Sequence, residues 1–431
     1  MHNNDWSREI EQNLTSVEES EAVERQRRSV SHALPRCVHV LYGGAHLFSE
    51  GTFEKVAKIS RASYEATVSS GSQIKALLHE QWSLDVSNSI YERITKKLSQ
   101  SPIEDYRIDF EDGFGVRSEE DEDKFACMSA EALAAQVLHP SAPKRVGIRI
   151  KQLSQNLTRR SLKTLKIFVD QYVESRRLSL SLTQLALEHL IITLPKVTHK
   201  SQPEALHQAL SVLERDHKLP KGFFKIELLI EDAEGFLNWG GQLGIQALIE
   251  ACSSRCIGLH IGVYDFLSSL DITSDAQNIE HPYCDQLRFW LLLVSKHHPG
   301  LEVSDGVINK IPTGERSAVG ASWRYIYRQH RRSMALGFNQ GWDIHPAQVP
   351  IRHVAHCAQI LENAQAAVER MKMFVDKFAQ ASRVGSTFDD RASILGLVNF
   401  FEQAIERSYL ASDELIAKGV NLTSVKKLIG R

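Results

Sequence analysis

A chain of 431 residues is long enough for one large barrel with extensions or for two ordinary domains. Its 24% charged and 42% hydrophobic residues fit a soluble globular enzyme and exclude a disordered or fibrous class. With 51 basic residues against 53 acidic ones the formal net charge is -2, which excludes a whole-molecule attraction to nucleic acid or to an anionic membrane. The polar N-terminus lacks the apolar core of a signal peptide, and no apolar run is long enough to span a bilayer. The six cysteines are scattered, which fits reduced thiols and a cytoplasmic location. Cys252, Cys256 and His260 lack the second ligand pair of a zinc site and read as small, half-buried residues at a helix end.

Residues 1–35 are rich in Glu, Arg, Gln and Ser and read as a helical N-terminal arm. The first strand is CVHVLYG at 37–43, stopped by Gly43-Gly44. From 50 to 100 apolar residues recur at spacings of three and four among charges, the mark of helices that cover a sheet. The second strand is Tyr106 to Phe110, and the acidic run from Glu119 to Asp123 opens a helix with its negative charge in the first turn, as a solvated helix start. Strands three to six are RVGIRI at 145–150, LIITLPKV at 190–197, FFKIELLI at 223–230 and CIGLHIGV at 256–263. Weaker strand patterns lie in the Val307 region after Ser304-Asp305-Gly306 and from Gly337 to Ile344. Helical patterns intervene at Pro203 to Asp216, Phe236 to Ala251 and Pro282 to His297.

Strands that alternate with helices, several of them almost wholly apolar, predict a parallel α/β architecture. The number of strands predicts a closed (β/α)8 TIM barrel over 36–350, followed by a C-terminal helical segment over 351–431. The absence of a G-x-G-x-x-G turn after the first strand argues against dinucleotide binding.

In such a barrel the residues just after each strand gather on the C-terminal rim. That rim set is Asp109, Glu111 and Asp112 after strand two, Arg149 ending strand three, Lys196 ending strand four, Glu231 and Asp232 after strand five, and Asp265 after strand six. Carboxylates that face one another repel unless a cation compensates, which is the physical case for a divalent metal. Asp112 and Asp232 read equally well as helix N-caps, and Asp109, inside its strand, reads as structural. Glu231 and Asp265 are the stronger metal candidates, each closing an apolar strand. Arg149 stands in an otherwise apolar strand, where an arginine needs a facing anion, either a rim carboxylate or a substrate. His345-Pro346 and Asp343 fit the capping of a helix start. Arg324, Arg328 and Arg331 share one helix face, which reads as solvated, with a phosphate-bearing ligand or an acidic partner patch as the alternative.

These residues carry a resemblance. DFEDG at 109–113, RI at 149–150, LPKV at 194–197, IEDAEG at 230–235, GVYD at 262–265, SDG at 304–306 and GWDIHPAQV at 341–349 occur in an order that resembles the citrate lyase beta subunit and hydroxyketoacid aldolase superfamily. Malate synthases, on the same phosphoenolpyruvate/pyruvate-type barrel, are similar in their acidic segment. The resemblance spans roughly 37–350 and marks a divergent, longer subgroup. It implies Mg²⁺, with Mn²⁺ as the alternative, held by Glu231 and Asp265, and Glu111 and Asp112 acting through metal-bound water. It also implies that Arg149, with Lys196, binds a small 2-oxo or hydroxy carboxylate, and that the chain is a carbon–carbon lyase working through a metal-stabilised enolate. Barrels of this kind usually form homo-oligomers; no membrane or nucleic-acid partner is implied.

Two departures matter. Lys151 stands where relatives often carry Asn. Gly385-Ser386-Thr387-Phe388-Asp389 is similar to the turn of the acyl-CoA-using branch, whose Asp acts as acid/base, so Asp389 is a second catalytic candidate beside Arg149. Asp389 reads equally as the N-cap of a helix beginning near Arg391. The rival functions are therefore an acyl-CoA-dependent lyase, thioesterase or malate-synthase-like condensing enzyme, and a catalytically inactive barrel that serves as a binding subunit.

Overall fold

The computed structural model describes residues 34–177, 189–237, 243–381 and 391–429. Most of the 1–35 arm and Asp389 lie outside the described residues. Eight strands run in parallel: β1 (His39–Gly44), β2 (Asp105–Asp109), β3 (Arg145–Arg149), β4 (Leu190–Leu194), β5 (Phe224–Ile230), β6 (Cys256–Ile261), β7 (Glu302–Asp305) and β8 (Gln340–Asp343). Each pairs with the next, and β8 returns to β1 with Val40 opposite Trp342, so the sheet closes in strand order. This is the (β/α)8 barrel that the strand and helix alternation predicts.

Helices α1 (Thr52–Thr67), α2 (Gly71–Leu78) and α3 (Leu84–Gln100) occupy the long β1–β2 connection. Around the barrel follow α4 (Glu119–Gln136), α5 (Thr158–Arg177), α6 (Ser201–Asp216), α7 (Ala233–Phe236), α8 (Ile245–Ala251), α9 (Val263–Ser269), α10 (Pro282–Lys296) and α11 (Arg316–Ala335). After the barrel come α12 (Val349–Ala381), α13 (Arg391–Glu406), α14 (Ser412–Ala417) and α15 (Leu422–Leu428). The long α12 packs along α3 and α11, and His353 within it bonds Pro102 O at 2.8 Å and Tyr409 Oη at 2.5 Å. The C-terminal segment is thereby stitched to the barrel shell.

Four local expectations are corrected. Strand seven precedes Gly306 instead of following it, because EVSD carries Glu302 for an ion pair with Arg145 at 2.7 Å and so hides its pattern. Strand eight is shorter than 337–344, since Gly337, at φ +93°, belongs to the turn that ends α11. The helix expected over 236–251 is split into α7 and α8, with Leu237 bridged to Leu243. The acidic start of α4 is only partly solvated: Ser118 caps it, but Glu122 is buried against Lys151 at 2.6 Å, and Asp123 pairs with Arg160. Lys151 is thus committed to α4. The arginine face of α11 is likewise structural at Arg331, which holds Glu362 of α12 at 2.6 Å.

The apolar core lies between the barrel wall and the helices as one contiguous cluster. Alternation along each strand sends every second residue inward. The inside carries a small apolar cluster of Val40, Tyr42, Leu229 and Trp342. Charged side chains meet at its centre. Arg107 donates from Nη2 to Glu227 at 2.7 Å and from Nε to Thr193 at 3.2 Å, and its Nη groups also hold Asp105. Burial alone would push the Glu227 carboxyl up, but Arg107 and His260 hold it well below the usual carboxylate range.

Removing one member of this group strands the other in the barrel. Glu227→Leu is expected to destabilise the fold by about 3–5 kcal/mol, and Arg107→Met combined with Glu227→Leu by distinctly less. Urea unfolding followed by circular dichroism measures both.

Candidate active site

The acidic rim is built from the C-terminal ends of neighbouring strands. Asp109 closes β2 and Arg149 closes β3, and register places the two side by side. Arg149 donates from Nε to Asp109 Oδ1 at 2.7 Å and from Nη2 to Oδ2 at 2.5 Å, a two-pronged clasp. Asp109 in turn accepts the backbone N–H of Glu111 at 2.9 Å and of Gly113 at 2.7 Å, so the loop after β2 folds back onto it. The remaining guanidinium nitrogen, Nη1, faces Glu111 Oε2 at 2.9 Å and Asp112 at 3.4 Å. The Tyr42 and Trp342 rings each lie 5.2 Å from the guanidinium carbon and support its plane.

Lys196 sits beyond β4 in the left-handed region at φ +51°, which turns its chain across the rim. Its backbone N–H donates to Glu231 Oε1 at 2.6 Å. Its ammonium lies 2.7 Å from Glu111, 3.3 Å from Asp112 and 3.9 Å from Asp265. Glu231 is buried at the end of β5, and Asp265, in the first turn of α9, is about half exposed. Two glycines allow this closeness. A Cβ on Gly262 would fall 2.2 Å from Glu231 Oε2, and one on Gly235 would fall 2.0 Å from Val197 O.

Five carboxylates, Asp109, Glu111, Asp112, Glu231 and Asp265, therefore gather around two cations, Arg149 and Lys196. Glu231 bears the consequence. Burial, with the Glu111 and Asp265 charges, pushes its carboxyl up to about 8, and no side-chain cation among the described residues pairs with it. Burial also raises Asp265. For Lys196 burial acts downward, but Glu111 and its neighbours prevail and hold the ammonium well above its ordinary value. A pocket of about 340 Å³ opens beside Lys196, Glu231 and Asp265, and every side chain lining it is polar, Gln152, Ser154 and Thr198 among them.

The structure thus brings Glu111, Asp112, Arg149, Lys196, Glu231 and Asp265 together on one rim. Asp109, read from the sequence as structural, proves to be the direct partner of Arg149. Asp232 lines the same pocket, but its side chain accepts the Glu234 N–H at 2.8 Å as the cap of α7. His345 caps the turn at Pro346 through Ala347 N, whereas Asp343 clasps Arg352 from β8. Sequence reasoning missed the interior Arg107 and Glu227, although each is a charge in an apolar strand, the signal that singled out Arg149. It also missed Gln152, Ser154 and Thr198, which carry no pattern in the sequence.

Among the described residues no three His, Cys, Asp or Glu side chains form a ready metal cage. The donor chemistry nevertheless fits a hard cation. Mg²⁺ characteristically takes one or two carboxylates and fills the rest of its shell from substrate and water. Glu231 and Asp265 offer two carboxylates at a polar pocket, with negative charge in excess around them.

The closed barrel is a fold this chain shares with solved structures. The structure is similar to a citrate lyase from Burkholderia xenovorans at 16% identity and a TM-score of 0.55, covering 94% of this chain and 99% of that one. A Haloferax volcanii malate synthase is similar at 13% identity and a TM-score of 0.48, covering 90% and 100%. The CitE protein from Mycobacterium tuberculosis, in complex with magnesium and acetoacetate, is similar at 17% identity and a TM-score of 0.42, covering 76% and 92%. Over residues 20–430 the chain matches the family described as Domain of unknown function (DUF6986), and it belongs to that family. No curated protein matches it.

The raised Glu231 carboxyl has a pH signature. Because its folded value of about 8 exceeds the unfolded 4.5, its effect on stability is absent below about 4.5, grows as pH rises and is complete above about 8. Without divalent ions, stability should fall across that window, and Glu231→Gln should flatten the fall. Thermal melts from pH 4 to 9 in a chelating buffer measure it.

Proposed function

We propose that the rim holds a divalent cation, Mg²⁺ or Mn²⁺, at Glu231 and Asp265, and that the chain is a carbon–carbon lyase for a small 2-oxo or hydroxy carboxylate. The observation that carries this reading is the surplus of carboxylate over cationic charge around Glu231, in a pocket lined wholly by polar side chains. A bound cation supplies Lewis-acid stabilisation for the negative charge that develops on a carbonyl oxygen when the neighbouring carbon–carbon bond breaks.

The chain's own residues do the positioning. Asp109 fixes one edge of Arg149 through two bonds and the Tyr42 and Trp342 rings fix its plane, so the guanidinium is oriented before substrate arrives. Asp112, half exposed and 3.4 Å away, is its loosest partner and the one a substrate carboxylate displaces. Lys196 stays protonated and acts as a fixed positive charge and donor, not as a base. The small polar pocket favours a hydrophilic acid over a long acyl chain.

Glu231→Ala and Asp265→Ala are each expected to abolish Mg²⁺ binding in calorimetry; unchanged affinity in both would sink the assignment. Arg149→Lys should keep the Mg²⁺ affinity but weaken oxalate binding at least about tenfold, since an ammonium cannot reproduce a planar two-pronged contact. Mg²⁺ binding to the wild type should also release close to one proton at pH 7, read from titrations in buffers of different ionisation enthalpy, because Glu231 must ionise first.

A further inference from the structure

The end of the barrel opposite the rim carries a second, larger cavity. It measures about 1030 Å³ and lies where β3, β7 and β8 begin, closed from below by α13 and the residue that follows it. In barrels of this class the N-terminal face is ordinarily a stability face, filled by packing. Here it is lined by Arg36, Arg145, Lys296 and Arg407.

Arg407 is the unusual member. It is only 4% exposed, yet no hydrogen bond or ion pair reaches its guanidinium among the described residues, and its Nε is shut off without a partner. Arg145, on β3, uses Nη1 to hold Glu302 at 2.7 Å, but its Nε is also buried and has no partner among the described residues. A third buried donor, Gln340 Nε2 at the start of β8, likewise has no partner among the described residues. The acids on the same walls are committed elsewhere. Glu302 is paired with Arg145, Glu406 accepts the Arg36 backbone N–H at 2.9 Å, and Glu402 is paired with Lys426. Buried arginines elsewhere in the chain, such as Arg107 and Arg149, touch carboxylates that hold their charge, whereas at Arg407 burial outweighs the pull of Glu104, Glu302 and Glu406, none of them in direct contact, and pushes it down.

A buried guanidinium with no carboxylate in direct contact is strongly unfavourable, and three orphan donors around one cavity mark a place where acceptor oxygens belong. We propose that this cavity is a binding site for a small oxyanion, a phosphate- or carboxylate-bearing metabolite, received by Arg407, Arg145 and Gln340 and separate from the acidic rim. The cavity is far larger than a lone phosphate, which leaves room for a metabolite body behind the anionic group.

The test uses the full chain, free of divalent ions, titrated separately with inorganic phosphate and with succinate while thermal unfolding and calorimetry are followed. A ligand bound only to the folded state raises the melting temperature with concentration. At least one anion should do so in the wild type, and which one separates the phosphate source from the carboxylate source. The effect should persist in Arg149→Lys, which excludes the rim as its origin. Arg407→Met should fold, melt no lower than the wild type without anion, and lose at least about tenfold in anion affinity. Arg407→Lys should retain part of it. The proposal is overturned if neither anion raises the melting temperature, if the effect disappears in Arg149→Lys, or if Arg407→Met binds the anion as the wild type does. Failure of metal binding at Glu231 would leave this result untouched, so the two readings fall independently.

Discussion

A charge enclosed by the barrel wall must find its opposite within a few ångströms. That constraint organises the molecule from end to end. Where the interior of a (β/α)8 barrel is ordinarily filled by branched apolar side chains, this one keeps Val40, Tyr42, Leu229 and Trp342 as a small apolar cluster. Ion pairs follow one another along the axis: Arg145 with Glu302 at the start of the strands, Arg107 with Asp105 and Glu227 in the middle, Arg149 with Asp109 at the rim. At the two lower levels the pairing satisfies the charge. At the rim carboxylates outnumber cations, and at the opposite mouth Arg407 is left over. Both imbalances fall where solvent and ligands can enter.

The rim also shows how backbone conformation places chemistry. Lys196 reaches across the acidic group from a left-handed position, and Gly262 and Gly235 admit contacts that no side chain would allow. Asp109 has a double role: it orients Arg149 and accepts two backbone N–H groups that shape the loop carrying Glu111 and Asp112. The residues that would meet a substrate are thus held by a strand end and a folded loop, not by long mobile side chains alone.

Much of this was legible in the sequence because buried parallel strands are almost wholly apolar, and a charged residue at the end of one stands out. Six of the eight strands and the rim positions of Arg149, Lys196, Glu231 and Asp265 follow from that contrast. It fails for β7 and β8, whose few residues include Glu302, Ser304 and Gln340, so polarity masks the strand. Pairing was not legible. The sequence marks Arg149 as needing an anion without saying that Asp109, two residues before Glu111, is the one that clasps it. Nor does any local pattern reveal that Lys196 turns left-handed, or that Arg407, 262 positions after Arg145 in a helical tail, returns to the mouth where β3 begins.

The charged filling of the barrel has a thermal consequence. Exposure of apolar surface raises the heat capacity of a protein on unfolding, and exposure of polar surface lowers it. A barrel whose centre holds Arg107, Asp105, Glu227 and Thr193 in place of branched apolar residues contributes less to that increment than an apolar one of equal size. The stability curve is correspondingly flatter, and the desolvation penalty of the interior ion pairs shrinks as temperature rises. The ion pairs inside the barrel thus act on the breadth of the stability curve as well as on its height.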